Sequence, residues 1–338
     1  MLDIVSPEPA YPDWQSFGIY EDSMKFVLEK HALNEPVALA TLINRTGGSP
    51  RPIGTQMAFT KGEMTGFFSG GCVEADVAFH ARATLSHGRP QVLTYGEESK
   101  FRDIKLQCGA SITVAIEKLL PSDEAVKNYA RLRQTRKQVI WISDGVQRYA
   151  ASNISDFDLA QQNVAHIALS SPKEGGQIDN LIYWVRHRPR VRLILIGSDP
   201  TTLAIALLAK EAEFEVILVR RSGPAVPPPV GVDLYSRRAP ETVFEEIGLD
   251  DRTAVVFADH DFEANRHLVV SALRSPAGYV GMVGAKRQRM VKEDFLRLAG
   301  LGDQDIARFS SPIGLHLGKS TPVSIAISAV AEIINIIG

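Results

Sequence analysis

The fold of this chain is decided by the stretch Arg192–Arg220, which reads RLILIGSDPTTLAIALLAKEAEFEVILVR. Its first apolar run, Arg192–Gly197, is short and predicts a buried strand, whereas Pro200–Ala212 has the length and spacing of a helix. A second short apolar run follows at Glu215–Arg220. Strand, helix and strand in this order require a right-handed crossover with parallel pairing, so the stretch predicts a βαβ unit.

The same alternation continues to the end of the chain. Further strands are predicted at Ala254–Asp259 and Tyr279–Ala285, and each is followed by helical spacing. The last helix is predicted at Pro322–Ile337, because its apolar residues recur every three or four positions. We therefore predict a Rossmann-like, doubly wound parallel sheet for residues 189–338.

Residues 1–188 follow a different plan, a mixed α/β domain in which strands and helices do not alternate regularly. Signals are weakest between about residues 121 and 165, and the basic run Arg186–Arg192 is interpreted as a solvated linker between the domains. The predicted helices are Ile19–Ala32, Cys72–Ser86 and Asp123–Arg136; the predicted strands are Val37–Ile43, Gln91–Tyr95, Ser111–Ile116 and Val139–Ser143, with a hairpin of Gln56–Thr60 and Glu63–Phe68.

Length and composition set the outer limits of the interpretation. The 338 residues exceed the usual domain length of roughly 150, which favours two domains. A net charge of −2 provides no positive field for collecting nucleic acid or an anionic membrane. Only two cysteines, Cys72 and Cys108, are present, and the first residues lack the pattern of a signal peptide. We expect a cytoplasmic protein that contacts neither nucleic acid nor membrane.

Two glycine-bracketed stretches carry the strongest local chemistry, GGSPR at Gly47–Arg51 and SGGC at Ser69–Cys72. Glycines ahead of a helix let its free N–H groups approach an anion, and the helix dipole adds attraction. Cys72 beside such a helix start would be a stabilised, reactive or metal-seeking thiolate. The alternative is a plain turn from strand to helix, with Cys72 as a small buried apolar residue.

The βαβ unit is typical of dinucleotide-binding folds, but its first turn matches the glycine fingerprint of those folds poorly. Of the fingerprint G-x-G-x-x-G only Gly197 is present, and Asp199 stands where a second glycine should let the pyrophosphate approach. A carboxylate there would cap the helix and repel phosphate. Arg220 and Arg221 could hold a 2′-phosphate, so an NAD(P)-dependent oxidoreductase remains the alternative function, with NAD(P) binding in doubt.

Two later loops fall where doubly wound folds bind ligands, beyond the carboxyl ends of strands. In the first, His260 is either a titrating group or a helix cap. In the second, Gly284 precedes the cations Lys286 and Arg287, which together could clamp an anion or could simply be a solvated helix start.

Several motifs taken together resemble the XdhC/CoxI family, the xanthine dehydrogenase accessory proteins. The N-terminal half carries GGSPRPIGTQM, SGGCVEADV, GRPQVLTYG and QCGASITVAIEKL in this order, and the C-terminal half carries ALRSPAGYVGMVGAKRQR and PIGLHLGKSTPVSIAISAVAEII. The resemblance spans about Pro36 to Glu332 except for the weak middle. The chain departs from the expected pattern at Asp199, and at Ala75 where glycine is frequent.

The resemblance implies a chaperone rather than a catalyst. Such a protein binds molybdenum cofactor, supports its sulfuration and inserts it into an apo molybdenum hydroxylase of the xanthine or aldehyde dehydrogenase type. A cysteine desulfurase is then a further partner, and a homodimer is expected. Arg51, Lys286 and Arg287 suit the phosphate of molybdopterin, Cys72 suits the molybdenum, and Glu74 and Gln107 suit the edges of the pterin. The complete set of expected cofactor-binding residues is Gly48, Arg51, Gly70, Gly71, Cys72, Glu74, Gln107, Cys108, Gly109, Gly197, His260, Gly284, Lys286 and Arg287.

Overall fold

A computed structural model divides the chain into two compact units, Met1–Pro189 and Arg190–Gly338. The structure describes residues 22–48, 51–69, 73–96, 111–179, 182–259, 261–318 and 320–338.

The first unit contains two antiparallel sheets. One sheet has the strand order β3-β2-β1-β5-β4 and the other the order β7-β6-β9-β8. The strands are β1 Val37–Thr46, β2 Gln56–Phe59, β3 Met64–Thr65, β4 Gln91–Tyr95, β5 Ser111–Leu119, β6 Val139–Ser143, β7 Arg148–Ala151, β8 Gly175–Gln177 and β9 Tyr183–His187; the helices are α1 Ser23–Ala32, α2 Glu74–His87, α3 Glu124–Gln134 and α4 Leu159–Ser170. The predicted hairpin is confirmed as β2 and β3, which pair antiparallel.

The second sheet of this unit is not predicted by the sequence, and it corrects the linker prediction. Arg186 lies within β9 and is buried, and its guanidinium bonds the Glu174 carboxylate and the Ala168 and Lys173 carbonyls. Arg192 is buried in the first strand of the second unit, against Glu215. The sequence favours a solvated linker because it does not show which groups accept hydrogen bonds from these arginines. A guanidinium group is buried only where carboxylates or carbonyls accept its hydrogen bonds, as they do here.

One carboxylate joins the two sheets of the first unit. Glu117 of β5 is fully buried and accepts hydrogen bonds from Trp141 Nε1 at 3.3 Å and Ser143 Oγ at 2.9 Å on β6. It also accepts from Arg148 Nε on β7 and from the Tyr183 hydroxyl on β9, each at 2.8 Å. A single acid thus satisfies donors from three strands of the neighbouring sheet.

A histidine is enclosed in the same unit. The Nε2 of His187, at the end of β9, is buried and has no hydrogen-bond partner within the described parts of the chain. Its ring meets Tyr129 edge to face, with centroids 5.0 Å apart. Burial lowers the pKa of His187 to about 4; the charge of Asp22 opposes this shift and that of Arg133 adds to it.

We expect acid to destabilise the first unit through His187. The unfolded residue takes a proton near its usual pKa of 6.5, whereas the folded residue stays neutral down to about 4. The unfolded state therefore binds more protons in this window, and the free energy of unfolding falls as pH drops, by about 2 kcal/mol at about pH 5. Urea unfolding can be followed selectively by fluorescence, since all three tryptophans of the sequence precede residue 190.

The matched variant for this measurement is His187→Gln, which cannot titrate. The loss of stability between about pH 7 and about pH 5 should be smaller in the variant by about 2 kcal/mol. An identical pH dependence in both proteins would contradict the assignment to His187.

The second unit is a doubly wound parallel sheet, as the sequence predicts. Its strand order is β12-β11-β10-β13-β14-β15, and every neighbouring pair is parallel. The strands are β10 Arg192–Ile196, β11 Glu215–Val219, β12 Leu234–Ser236, β13 Thr253–Phe257, β14 Tyr279–Met282 and β15 Phe309–Ser310; the helices are α5 Pro200–Glu211, α6 Pro240–Ile247, α7 Phe262–Arg274, α8 Arg289–Leu298, α9 Asp303–Ile306 and α10 Pro322–Ile337.

Helices cover both faces of this sheet. Leu193 and Leu195 belong to the core beneath α5 and α10, and Ile194 and Ile196 belong to the core beneath α6, α7 and α8. Counted within the unit, the strands run in the order 3-2-1-4-5-6, and the direction of winding reverses between β10 and β13. Ligands of such sheets bind beyond the carboxyl ends of the strands near this reversal. Among the described residues, no helix has both the length and the apolar character needed to cross a bilayer.

Candidate functional site

Glu74, the first residue of α2, bonds Ser69 and Val73, the two residues that flank Gly70–Cys72 in the sequence. Its side chain is fully buried, and Oε1 accepts hydrogen bonds from the backbone N–H of Phe68 at 2.8 Å and of Ser69 at 2.6 Å. Oε2 accepts from the Ser69 hydroxyl at 2.9 Å and from the Val73 N–H at 3.2 Å. This placement gives Glu74 a positioning role, in place of the direct pterin contact that the sequence suggests.

The electrostatics of Glu74 match that role. Burial alone would raise its pKa, but the hydrogen bonds from Ser69, Phe68 and its own backbone outweigh burial and lower the pKa. The carboxylate is therefore ionised at neutral pH, and it presents a fixed negative charge to the N–H groups of the loop. Ser69 and Val73, which both bond this carboxylate, flank Gly70, Gly71 and Cys72 in the sequence.

Arg51, the last residue of the first glycine-bracketed stretch, packs on an aromatic ring that lies two residues before the second stretch. The Arg51 guanidinium carbon lies 4.7 Å from the centroid of Phe67, the residue directly before Phe68. The Arg51 carbonyl also accepts a hydrogen bond from Arg45 Nη1 at 3.1 Å. Phe67 is not among the residues that the sequence singles out, and its one signal is its place in the Phe67-Phe68 pair that precedes SGGC. Cation–π packing of this kind fixes the plane of a guanidinium without neutralising its charge.

A cavity of about 430 Å³ is lined in part by Ile53, two residues after Arg51 in the sequence. Its walls come from both sheets of the first unit, with Ile43 and Asn44 on one side and Gly175, Gln177 and Trp184 on the other. In its wall the Gly176 backbone packs against the Trp184 ring, since a Cβ added to Gly176 would lie 2.8 Å from Trp184 Nε1. This volume falls within the range of small-molecule sites.

The first turn of the second unit is closed to phosphate. Asp199 caps α5, and its Oδ1 accepts hydrogen bonds from the Thr202 N–H at 2.8 Å and the Thr202 hydroxyl at 2.7 Å. Gly197 serves the tight turn, because a Cβ there would lie 2.3 Å from Thr202 Oγ1. The expected helix cap is confirmed. A carboxylate at this helix start repels a dinucleotide pyrophosphate, which weighs against the NAD(P)-dependent oxidoreductase.

In the loop after β13, the acidic side chains bond groups of the same loop and of the helix that follows it. The Asp259 carboxylate accepts hydrogen bonds from Asn265 Nδ2 at 2.9 and 3.0 Å and from the Asp261 N–H at 2.9 Å. Asp261 rather than His260 caps α7, by accepting from the Ala264 N–H at 3.0 Å. His260 itself lies outside the described residues.

The predicted anion clamp sits on an exposed turn rather than at a helix start. Lys286 and Arg287 are exposed and belong to a 3₁₀ turn, and α8 begins only at Arg289. Gly284, two residues after β14, is half-buried, and a Cβ there would lie 2.7 Å from Lys292 Nζ. Lys292 is a residue that the sequence does not single out, because it follows Met290 and Val291 within an ordinary amphipathic helix.

The remaining predicted positions divide into two groups. Gly48 is exposed, and a Cβ added there would meet no atom within 4 Å. The others lie outside the described residues: Gly70, Gly71, Cys72, Gln107, Cys108, Gly109 and His260. Within the described ranges, histidine, cysteine and acidic residues form no cluster suited to a metal ion.

The fold and these sites define a class of protein. It has a Rossmann-type unit whose first helix start is capped by the Asp199 carboxylate, preceded by an α/β unit in which the buried Glu74 carboxylate bonds Ser69 and Val73, the residues that flank Gly70–Cys72 in the sequence. Two family models match the chain, the XdhC and CoxI family over residues 31–96 and the XdhC Rossmann domain over residues 193–333. Together they cover more than half of the sequence, and the chain belongs to the XdhC/CoxI family.

Named relatives and a solved structure agree with this assignment. The chain is 26% identical over 314 residues to the molybdenum cofactor insertion chaperone PaoD of Escherichia coli, covering 93% of this chain and 87% of the relative. It is 25% identical over 317 residues to a Bacillus subtilis protein named as a probable xanthine dehydrogenase component, covering 89% and 93%. A crystal structure from Bacillus halodurans, described as a xanthine dehydrogenase, shares the fold with a TM-score of 0.74 at 21% identity, covering 93% of this chain and 96% of that one.

Proposed function

We propose that this chain binds molybdenum cofactor and inserts it into a molybdenum hydroxylase of the xanthine or aldehyde dehydrogenase type. The relative named as an insertion chaperone supports this proposal, since it aligns over 93% of the chain. The observation that carries it is the buried Glu74 carboxylate, which bonds Phe68, Ser69 and Val73 on either side of Gly70–Cys72.

The chemistry of the cargo fits the residues around this loop. Molybdopterin carries a soft dithiolene-bound metal, for which a thiolate is the natural protein ligand. Cys72 would contact the molybdenum, and Arg51, oriented by Phe67, would meet the phosphate. We assign further contacts in the first unit to Gly48, Gly70, Gly71, Gln107, Cys108 and Gly109.

The proposal extends to the sulfuration of the cofactor and to the partners that this requires. Cys72 beside the metal could shield a terminal sulfido ligand delivered by a cysteine desulfurase. A homodimer is included because α10 exposes Val323, Ile327 and Ile334 on its outer side. Chemistry that depends on free thiols calls for a reducing compartment such as the cytoplasm.

The test is retention of molybdenum cofactor on a desalting column by purified protein. Cys72→Ser should lower retention about tenfold or more, since a hydroxyl is a poor ligand for a soft metal. The control is Ser86→Ala, an exposed position at the other end of α2, which should retain cofactor like the wild type. Activation of an apo molybdenum hydroxylase by each loaded protein gives a second readout. Equal retention by Cys72→Ser and the wild type would remove Cys72 from the site.

A further inference from the structure

A lysine is buried at the ligand-binding edge of the second unit. Lys292 on α8 is 1% exposed, and its Nζ donates a hydrogen bond to Ser311 Oγ at 2.9 Å. The ammonium also faces the Phe262 ring, 5.5 Å from its centroid. Gly284 leaves room for it, because any larger residue would place a Cβ 2.7 Å from Nζ.

This ammonium differs from the other buried cations of the described chain. Arg186 pairs with Glu174 and Arg192 with Glu215, whereas no described carboxylate pairs with Lys292. The nearest acids along α8 are used elsewhere: Glu293 pairs with Arg289, and Asp294 pairs with Arg297. A buried cation without a counter-ion is unfavourable, and it lowers the pKa of Lys292 through loss of solvation.

The position of Lys292 suggests what supplies the missing charge. Phe262 begins the helix after β13, Gly284 follows β14, and Ser311 follows β15, so the groups around Nζ come from the carboxyl ends of three neighbouring strands. Ligands of doubly wound sheets bind at this edge. The helix start that usually receives their phosphate is occupied here by the Asp199 carboxylate.

We propose that Lys292 Nζ and Ser311 Oγ form a binding site for the phosphate group of a ligand at the carboxyl edge of the second unit. The phosphate is the counter-ion that no described carboxylate provides for Lys292, and the Ser311 hydroxyl donates to a second phosphate oxygen. The exposed cations Lys286 and Arg287, a few residues after Gly284, add long-range attraction for the anion. The site goes beyond the proposed function, because it requires neither molybdenum nor Cys72.

Inorganic phosphate is the probe, and calorimetry with the full chain measures its binding. Wild-type protein should bind phosphate, and Lys292→Met should bind it about tenfold more weakly or worse. The matched control is Lys210→Met, which removes a cation that already pairs with Asp233 and should leave phosphate binding unchanged. Phosphate should raise the melting temperature of the wild type and of Lys210→Met but not that of Lys292→Met.

The ligand-free proteins separate a binding role from a structural one. Lys292→Met should melt at or above the wild-type temperature, because a methionine fills the same space without a buried charge. Gly284→Ala, whose methyl group displaces Nζ, should reproduce the loss of phosphate binding. The proposal is overturned if the wild type does not bind phosphate or if both variants bind it normally.

A competition experiment distinguishes the source of the phosphate. If inorganic phosphate displaces retained molybdenum cofactor from the wild type but not from Lys292→Met, Lys292 and not Arg51 receives the phosphate of that cofactor. If saturating phosphate leaves retention unchanged while Lys292 is still required for phosphate binding, the site serves a separate phosphorylated ligand. Failure of the Cys72→Ser test would leave both results interpretable, since phosphate binding is measured without cofactor.

Discussion

Replacing Glu74 with alanine is expected to weaken retention of molybdenum cofactor about 100-fold. The variant removes the acceptor for the N–H groups of Phe68, Ser69 and Val73, so Gly70, Gly71 and Cys72 lose both anchored ends. Ordering three residues during binding costs about 1–2 kcal/mol each in backbone entropy. The lower end of that range, about 3 kcal/mol in total, corresponds to a loss of about 100-fold. The measurement is cofactor retention over a series of protein concentrations.

Two companion variants sharpen the Glu74 experiment. Glu74→Gln keeps one acceptor oxygen for the Phe68 and Ser69 N–H groups and should retain cofactor better than Glu74→Ala. Glu29→Ala removes an exposed acid that makes a long 3.8 Å contact with Lys25, and it should behave as the wild type. If Glu74→Ala retained cofactor as well as Glu29→Ala, the hydrogen bonds of Glu74 to Phe68, Ser69 and Val73 would not contribute to the site.

Replacing Glu117 with alanine is expected to destabilise the first unit by about 3–5 kcal/mol, the usual loss when one partner of a buried ion pair is removed. The variant leaves Arg148, Ser143, Trp141 and Tyr183 without their shared acceptor in a buried environment. Urea unfolding followed by tryptophan fluorescence reports on this unit alone, because every tryptophan of the sequence precedes residue 190.

The control for Glu117 is Glu124→Ala. Glu124 pairs with Lys127 at 2.7 Å, but both side chains are mostly exposed, and such pairs contribute about 0.5 kcal/mol. The same loss of stability in both variants would show that Glu117 does not connect the two sheets. A shift of the unfolding midpoint in Glu117→Ala without a change in slope would locate the effect in the folded state.

Where local pattern determines structure, the sequence is a good guide. The βαβ unit from Arg192 to Arg220, the helix Pro322–Ile337 and the Asp199 cap all occur as predicted, since period, proline and cap residues act over a few positions. The resemblance to the XdhC/CoxI family, read from ordered motifs, is confirmed by the two family models.

The features that escaped prediction depend on partners distant in sequence. Arg186 is buried because Glu174 and two carbonyls receive it, and no local pattern announces that pairing. Glu117 satisfies donors 24 to 66 residues away. Phe67 stands out only through its contact with Arg51, and Lys292 only through its hydrogen bond to Ser311. Both contacts form only in the folded chain.

The Asp199 cap has a consequence for competition among ligands. In a Rossmann-type unit, a helix start without such a cap binds the pyrophosphate of a dinucleotide. An abundant dinucleotide would then occupy the unit and exclude other ligands. With the carboxylate bonded to Thr202, that entrance is closed without altering the sheet. The chain thereby keeps the architecture of a nucleotide-binding fold, and we expect the Asp199 carboxylate to disfavour a dinucleotide at its first turn.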